Sequence, residues 1–127
     1  MVHCSVRRAP APDGAVVLDA ERLDVYVAAL AFQTLAQRLA GKLTGAFRDQ
    51  LERASLSILL NLAEGVGRTQ PADKARYYAI SRGSASECAA LVEALGARGW
   101  AEEAHRRARL LVLRLVQMLS RLCGPPR

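Results

Sequence analysis

Glycine and proline cut this chain into four stretches of about twenty to thirty residues, each dense in leucine, alanine and valine. The first stretch runs from Asp19 to near Gly41, with Glu21 and Asp24 in its opening turns and Arg38 and Lys42 at its far pole, the polarity that a helix dipole favours. The second spans about Ala46 to Val66 and is closed by Gly65, Gly67 and then Pro71. A third begins at Thr69 or Pro71 and reaches Gly96 or Gly99, with Gly83 inside it. Proline is tolerated at such a start because its missing N–H would have no helical partner there. The fourth starts near Ala101, carries Glu102 and Glu103 at its positive pole, and stops at Leu122 ahead of Gly124-Pro125-Pro126. Short joints between long helices imply antiparallel neighbours, so the expected fold is all-α: an up-and-down four-helix bundle over residues 19–123. Residues 1–18, with Ala9-Pro10-Ala11-Pro12-Asp13-Gly14, read as a flexible arm in which Val16, Val17 and Leu18 suit docking on a surface, and 124–127 as a short tail.

Composition supports this reading. Hydrophobic residues make up 51% of the 127 residues but aromatic ones only 5%, so the apolar mass is aliphatic and favours helix. That length suits one domain with a sizeable core. The opening residues have no apolar run of signal-peptide or membrane-span length and include Arg7 and Arg8, so a cytoplasmic protein without a membrane segment is expected. Cys4, Cys88 and Cys123 are too scattered for a disulfide framework or a zinc site, and the two in helices read as small buried hydrophobes.

At about 100° per residue the first two helices are apolar on two sides. The first helix groups Leu23, Tyr26, Val27 and Leu30 opposite Val25, Phe32, Leu35 and Leu39. The second has a broad face of Phe47, Leu51, Ala54, Ile58, Leu59 and Leu62, and another of Leu56, Leu60 and Ala63. No helix of a four-helix bundle is covered all round, so the spare faces point to a homo-oligomer with Leu56, Leu60 and Ala63 at the interface.

Between those faces, Gln50, Arg53, Ser57, Asn61, Glu64 and Arg68 share an arc of about 80° on the second helix. On the third, Ser84 and Glu87 border an apolar face of Tyr77, Ile80, Cys88 and Leu91. A solvated side is the simplest account of the arc. A structural seam of Arg53, Asn61, Glu64, Ser84 and Glu87 is the alternative, with Arg53 and Glu87 as a partly buried ion pair and Asn61 and Ser84 hydrogen-bonded around it. No catalytic, cofactor-binding or metal-ligating set emerges. His3 and His105 are isolated, no Ser/His or Cys/His arrangement is present, and Gly65-Val66-Gly67 follows a helix rather than a strand.

The net charge of +6 is concentrated at the end of the chain, where residues 100–127 contribute +4. On the fourth helix Arg106, Arg107, Arg114 and Arg121 lie within roughly a quarter of the circumference, while Leu111, Leu115, Met118, Leu119 and Leu122 occupy the other side. This basic stripe suits a polyanion such as RNA or DNA. It also suits a solvated face, or pairing with acids of a neighbouring copy. No aromatic residue interleaves with the arginines, so any nucleic-acid contact would run along the backbone without reading sequence.

The stretch from Gln50 to Arg68, centred on Asn61-Leu62-Ala63-Glu64-Gly65, resembles the signature of bacterial four-helix-bundle proteins first noted as products of intervening sequences in large-subunit ribosomal RNA genes. Gly83-Ser84-Ala85-Ser86-Glu87 is similar to the family's second motif, and Leu23-Asp24-Val25-Tyr26 to its usual opening. The resemblance covers residues 23 to about 122. It implies an up-and-down bundle that assembles as a ring of five, with no established enzymatic activity. A related bundle, the accessory variability determinant of diversity-generating retroelements, works as a basic pentamer that engages a reverse transcriptase and nucleic acid. By that analogy the partners here are further copies of the chain, RNA or DNA, and a protein such as a reverse transcriptase; a protein-interaction scaffold without nucleic acid is the alternative. Leu59-Leu60 stands where the family commonly has Pro-Ala, which enlarges the apolar area of the second helix, and Glu52 replaces a commonly basic residue.

Overall fold

The computed structural model describes residues 20–124. They form four helices: α1 (Ala20–Ala40), α2 (Gly45–Gly67), α3 (Pro71–Ala97) and α4 (Glu103–Cys123). The expected arm at 1–18, including Val16, Val17 and Leu18, lies outside the described residues, as does the tail beyond Gly124. Each helix packs on its neighbours in sequence and α4 returns to α1, which is the up-and-down arrangement. Lys42, just past α1, pairs with Glu102 at the start of α4 and brings the end of one helix to the beginning of the other.

The helix boundaries follow local chemistry. Pro71 is the first residue of α3, and Lys74 reaches back to donate to the carbonyls of Gly65 (3.2 Å) and Val66 (3.0 Å) in the last turn of α2, where the Arg68 amide also donates to Gly65 at 3.3 Å. At the end of α3, Gly99 takes φ +94°, a left-handed conformation that costs glycine little. The amide of Trp100 then donates to Leu95 at 3.1 Å and that of Gly99 to Gly96 at 2.9 Å, the paired bonds of a Schellman turn.

The core is the set of inward stripes. Val25, Phe32, Leu35 and Leu39 of α1 meet Leu51, Ala54, Ile58 and Leu62 of α2, and Val112, Leu115, Met118 and Leu119 supply α4. Thus each doubly apolar helix turns one of its two faces inward, while Leu111 and Leu122 of α4 sit half-buried at the margin. On α3 the inward stripe differs from the expectation. Tyr78, Ser81, Ala85, Cys88, Val92 and Leu95 are buried, whereas Tyr77 and Leu91 are half-buried and Ile80 is exposed. The spacing of three and four residues is that of a bundle seam, but it includes a serine, which a count of apolar positions passes over. Ser81 meets its burial requirement by donating to the Ile58 carbonyl at 2.7 Å. His105, which looked isolated in the sequence, is buried and donates from Nε2 to the Val92 carbonyl at 2.8 Å, tying the start of α4 to α3.

Cys88 is fully buried, and that burial, with Glu87 adding negative charge nearby, pushes its thiol up to about 12. The folded state therefore holds a proton that the unfolded chain, near 9, releases first. This contribution to stability is intact below about pH 9 and is lost as pH rises towards 12. Alkylation with iodoacetamide at pH 8, followed by site-resolved mass spectrometry, is expected to leave Cys88 unmodified in the native protein and to label it fully once denaturant unfolds the bundle.

Candidate interaction surfaces

The polar arc of α2 divides into a structural half and a solvated half. Ser57 and Asn61, both half-buried, face α3: Ser57 Oγ and Ser84 Oγ share a hydrogen bond of 2.8 Å, and Asn61 Nδ2 donates to the Ser57 carbonyl (2.9 Å) and hydroxyl (3.0 Å). The expected ion pair between Arg53 and Glu87 does not form. Both residues are exposed, and no salt bridge joins them among the described residues. The cause is the register of α3: with Ser81 rather than Ile80 turned inward, Glu87 lies about 130° from the centre of the buried stripe. Arg53 instead edges a groove between α1 and α2, along with Asp49, Glu52 and Leu56. Glu64 is exposed and pairs with Arg68 at 2.9 Å, and Arg68 in turn donates to the Tyr77 hydroxyl at 3.1 Å and lies over its ring.

Gly65, the last residue of the Asn-x-Ala-Glu-Gly motif, is buried against α3. A Cβ there would stand 2.6 Å from Tyr78 Cε1 and 2.7 Å from Cδ1, well inside contact distance. The ring cannot easily move aside, because it is 2% exposed and its hydroxyl accepts a 3.0 Å hydrogen bond from Arg22 Nε on α1. One residue without a side chain thus lets three helices converge.

The outward faces carry the spare apolar side chains. Val27 is 56% exposed, Leu30 41%, Leu56 41% and Leu60 54%, and Ala63 is exposed beside them. These are the second faces of α1 and α2. Ile80, Leu110 and Leu113 add exposed aliphatic groups on α3 and α4.

The four arginines of the expected basic stripe fall into two groups. Arg106 is tied down by Glu103 at 2.7 Å and by the Ala101 carbonyl. Arg107, Arg114 and Arg121 are exposed and have no acidic partner among the described residues. Arg109, outside the expected stripe, pairs with Glu93 of α3 at 2.6 Å. A groove of about 520 Å³ runs between α1 and α4, and it brings Arg107 and Arg114 to the same opening as Arg38 of α1. Sequence reasoning left Arg38 out because only the antiparallel packing of α1 on α4 brings it to the stripe. Among the described residues no cluster of three His, Cys, Asp or Glu side chains could hold a metal, and no helix is long and apolar enough to cross a membrane.

The Gly65 and Tyr78 contact separates packing from helix propensity. Gly65→Ala is expected to destabilise the bundle by about 1–3 kcal/mol, since overpacking against a pinned ring outweighs the better helix former. At the exposed Gly83, where a Cβ meets nothing within 4 Å, Gly83→Ala should stabilise by about 0.5–1 kcal/mol. Urea unfolding of the two variants checks the opposite signs.

No curated protein matches the chain at a significant level. A family profile does: that of the 23S rRNA-intervening sequence proteins, over residues 21–121. The match takes in all but the first residue of α1 and the last two of α4, and with it the Gly65 motif, the Ser84 contact and the arginine face. The chain therefore belongs to the 23S rRNA-intervening sequence protein family.

Proposed function

We propose that this protein is a non-enzymatic, cytoplasmic building block that assembles with copies of itself through α1 and α2 and presents the arginine face of α4 to an anionic partner. The observation that carries the assembly is the exposure of Val27, Leu30, Leu56 and Leu60 on two adjacent helices whose cores are already satisfied. Val27 and Leu30 lie on the outer side of α1, and Leu56 and Leu60 on the outer side of α2. Exposed aliphatic side chains on two adjacent helices are most simply explained by a partner that covers them. The resemblance to ring-forming bundles favours five subunits, in which α1 and α2 face a neighbour and α4 stays on the outside.

The anionic-partner half of the proposal is supported by charge that the subunit does not neutralise itself: Arg107, Arg114 and Arg121 are without acids among the described residues, while Arg106 and Arg109 are paired. Phosphate contacts along RNA or DNA are one way to use such a face. Acidic protein is another.

Leu60 gives a clean test of the assembly. Its exposure in the single subunit means that Leu60→Glu should fold normally, whereas burying that carboxylate in an interface would cost several kcal/mol. Sedimentation at micromolar concentration is expected to show an oligomer for the unmodified protein and a helical monomer for the variant. A well-folded monomer in both cases would sink the assembly, and an oligomer in both would move the interface away from Leu60.

A further inference from the structure

The α1 and α4 groove has properties that a phosphate backbone alone would not use. Its base is aliphatic, formed by the buried Leu35 and half-buried Leu111, and its edges are Ala31 and Leu110. Leu110 is 65% exposed, the most exposed large hydrophobic residue described, and it sits between Arg107 and Arg114 in sequence and in the groove. Along α4, Arg107, Leu110, Arg114, Gln117 and Arg121 recur at intervals of three and four residues and are all exposed. This is heptad spacing, which brings a residue back to the same side of a helix about every 10.5 Å. On the facing edge, Ala31 and Thr34 are small and leave room for another backbone, and Arg38 repeats the positive charge seven residues beyond Ala31. The lining contains no acid and no aromatic ring.

We infer that this groove docks an amphipathic α-helix of a partner protein, one with aliphatic residues on its inner face and Asp or Glu at seven-residue intervals along its flanks. The inference rests on the reading of the α4 arginine face as a contact for an anionic partner, and it names the class of that partner. Leucine or alanine at the inner positions would cover Leu110, Leu111 and Ala31. Flanking carboxylates would reach Arg38, Arg107, Arg114 and Arg121, whose planar guanidinium groups suit carboxylate pairing. This is helix-in-groove recognition with electrostatic selection of the partner. A nucleic-acid backbone would satisfy the arginines but leave Leu110 in water, with no ring nearby on which bases could stack. A second copy of the chain fits poorly, because none of its own helices carries two acidic residues seven positions apart.

The test uses the full chain and a fluorescent three-heptad peptide with leucine at the inner positions and glutamate on both flanks. Controls are a peptide of the same composition with the period scrambled, and single- and double-stranded RNA of about the same charge. The periodic peptide is expected to bind with micromolar affinity at moderate salt, and the scrambled peptide at least about tenfold more weakly. Arg107→Glu with Arg114→Glu should lose at least about tenfold, and Leu110→Ser several-fold, with unchanged helical content by circular dichroism. Arg109→Gln, which alters an arginine already paired to Glu93, should bind as the unmodified protein does. Equal binding of periodic and scrambled peptides, or no effect of Leu110→Ser, would overturn helix docking in favour of charge alone. RNA binding without peptide binding would overturn the inference while the anionic-partner reading stands. Binding of neither would remove both.

Discussion

The contact between Gly65 and the ring of Tyr78 sets the distance at which α2 and α3 can pack, and much of the bundle follows from it. A missing Cβ brings the backbone of α2 against a buried ring, and the ring is fixed from the other side by Arg22 of α1. Away from that point the same two helices meet through small polar groups: Ser81 donates to the Ile58 carbonyl and Ser57 shares its hydroxyl bond with Ser84. Small side chains at successive turns permit close approach, and each buried hydroxyl has a partner, so that approach leaves no buried polar atom unmet among the described residues. Lys74 completes the joint by satisfying the last carbonyls of α2. The Asn-x-Ala-Glu-Gly stretch on which the family resemblance centres is therefore first a packing device.

A tightly defined α2 and α3 pair determines which sides of the helices remain outside. With Leu51, Ile58 and Leu62 committed to the core, the other apolar side of α2 has no place in the subunit, and Leu56 and Leu60 must face outward. The same holds for Val27 and Leu30 once Val25, Phe32 and Leu39 are inside. These side chains add little to the stability of the subunit, because each stays substantially in water. A partner that removed them from it would recover that apolar area, which is the basis of the proposed assembly.

The number, order and ends of the helices were legible in the sequence because glycine, proline and charged caps act locally. The division of α1 and α2 into two faces was legible for a related reason, since a helical wheel requires no knowledge of the partner. The register of α3 was not. Its buried stripe contains Ser81, and the apolar line expected to face the core loses Ile80 to the surface and keeps Tyr77 and Leu91 only half-buried. A serine that bonds the carbonyl of another helix is inward only because that carbonyl is there, and nothing in the neighbouring sequence signals it. The misplaced Arg53 and Glu87 pair follows from the same error of rotation. Arg38, His105 and the role of Gly65 were missed because each acts through residues of another helix: Arg107 and Arg114, Val92, and Tyr78.

Charge in this protein is better understood through its distribution than through its pairs. The salt bridges at Arg48–Glu52, Arg68–Glu64, Arg106–Glu103 and Arg109–Glu93 all join side chains at least 43% exposed, where such pairs contribute under about 1 kcal/mol each. Stability therefore comes from the aliphatic core and the α2 and α3 joint, and the surface charges are free to vary without threatening the fold. Against that freedom, α4 keeps Arg107, Arg114 and Arg121 on one line with no internal acid, beside an exposed leucine and across a groove from Arg38. Solubility alone would be served by arginines scattered over the surface. It does not require seven-residue spacing or an aliphatic trough beneath them. The other wall of the groove is α1, where Ala31, Thr34 and Arg38 continue the line of Val27 at intervals of four, three and four residues, so the two proposed surfaces meet along α1 and occupation of one bears on the other.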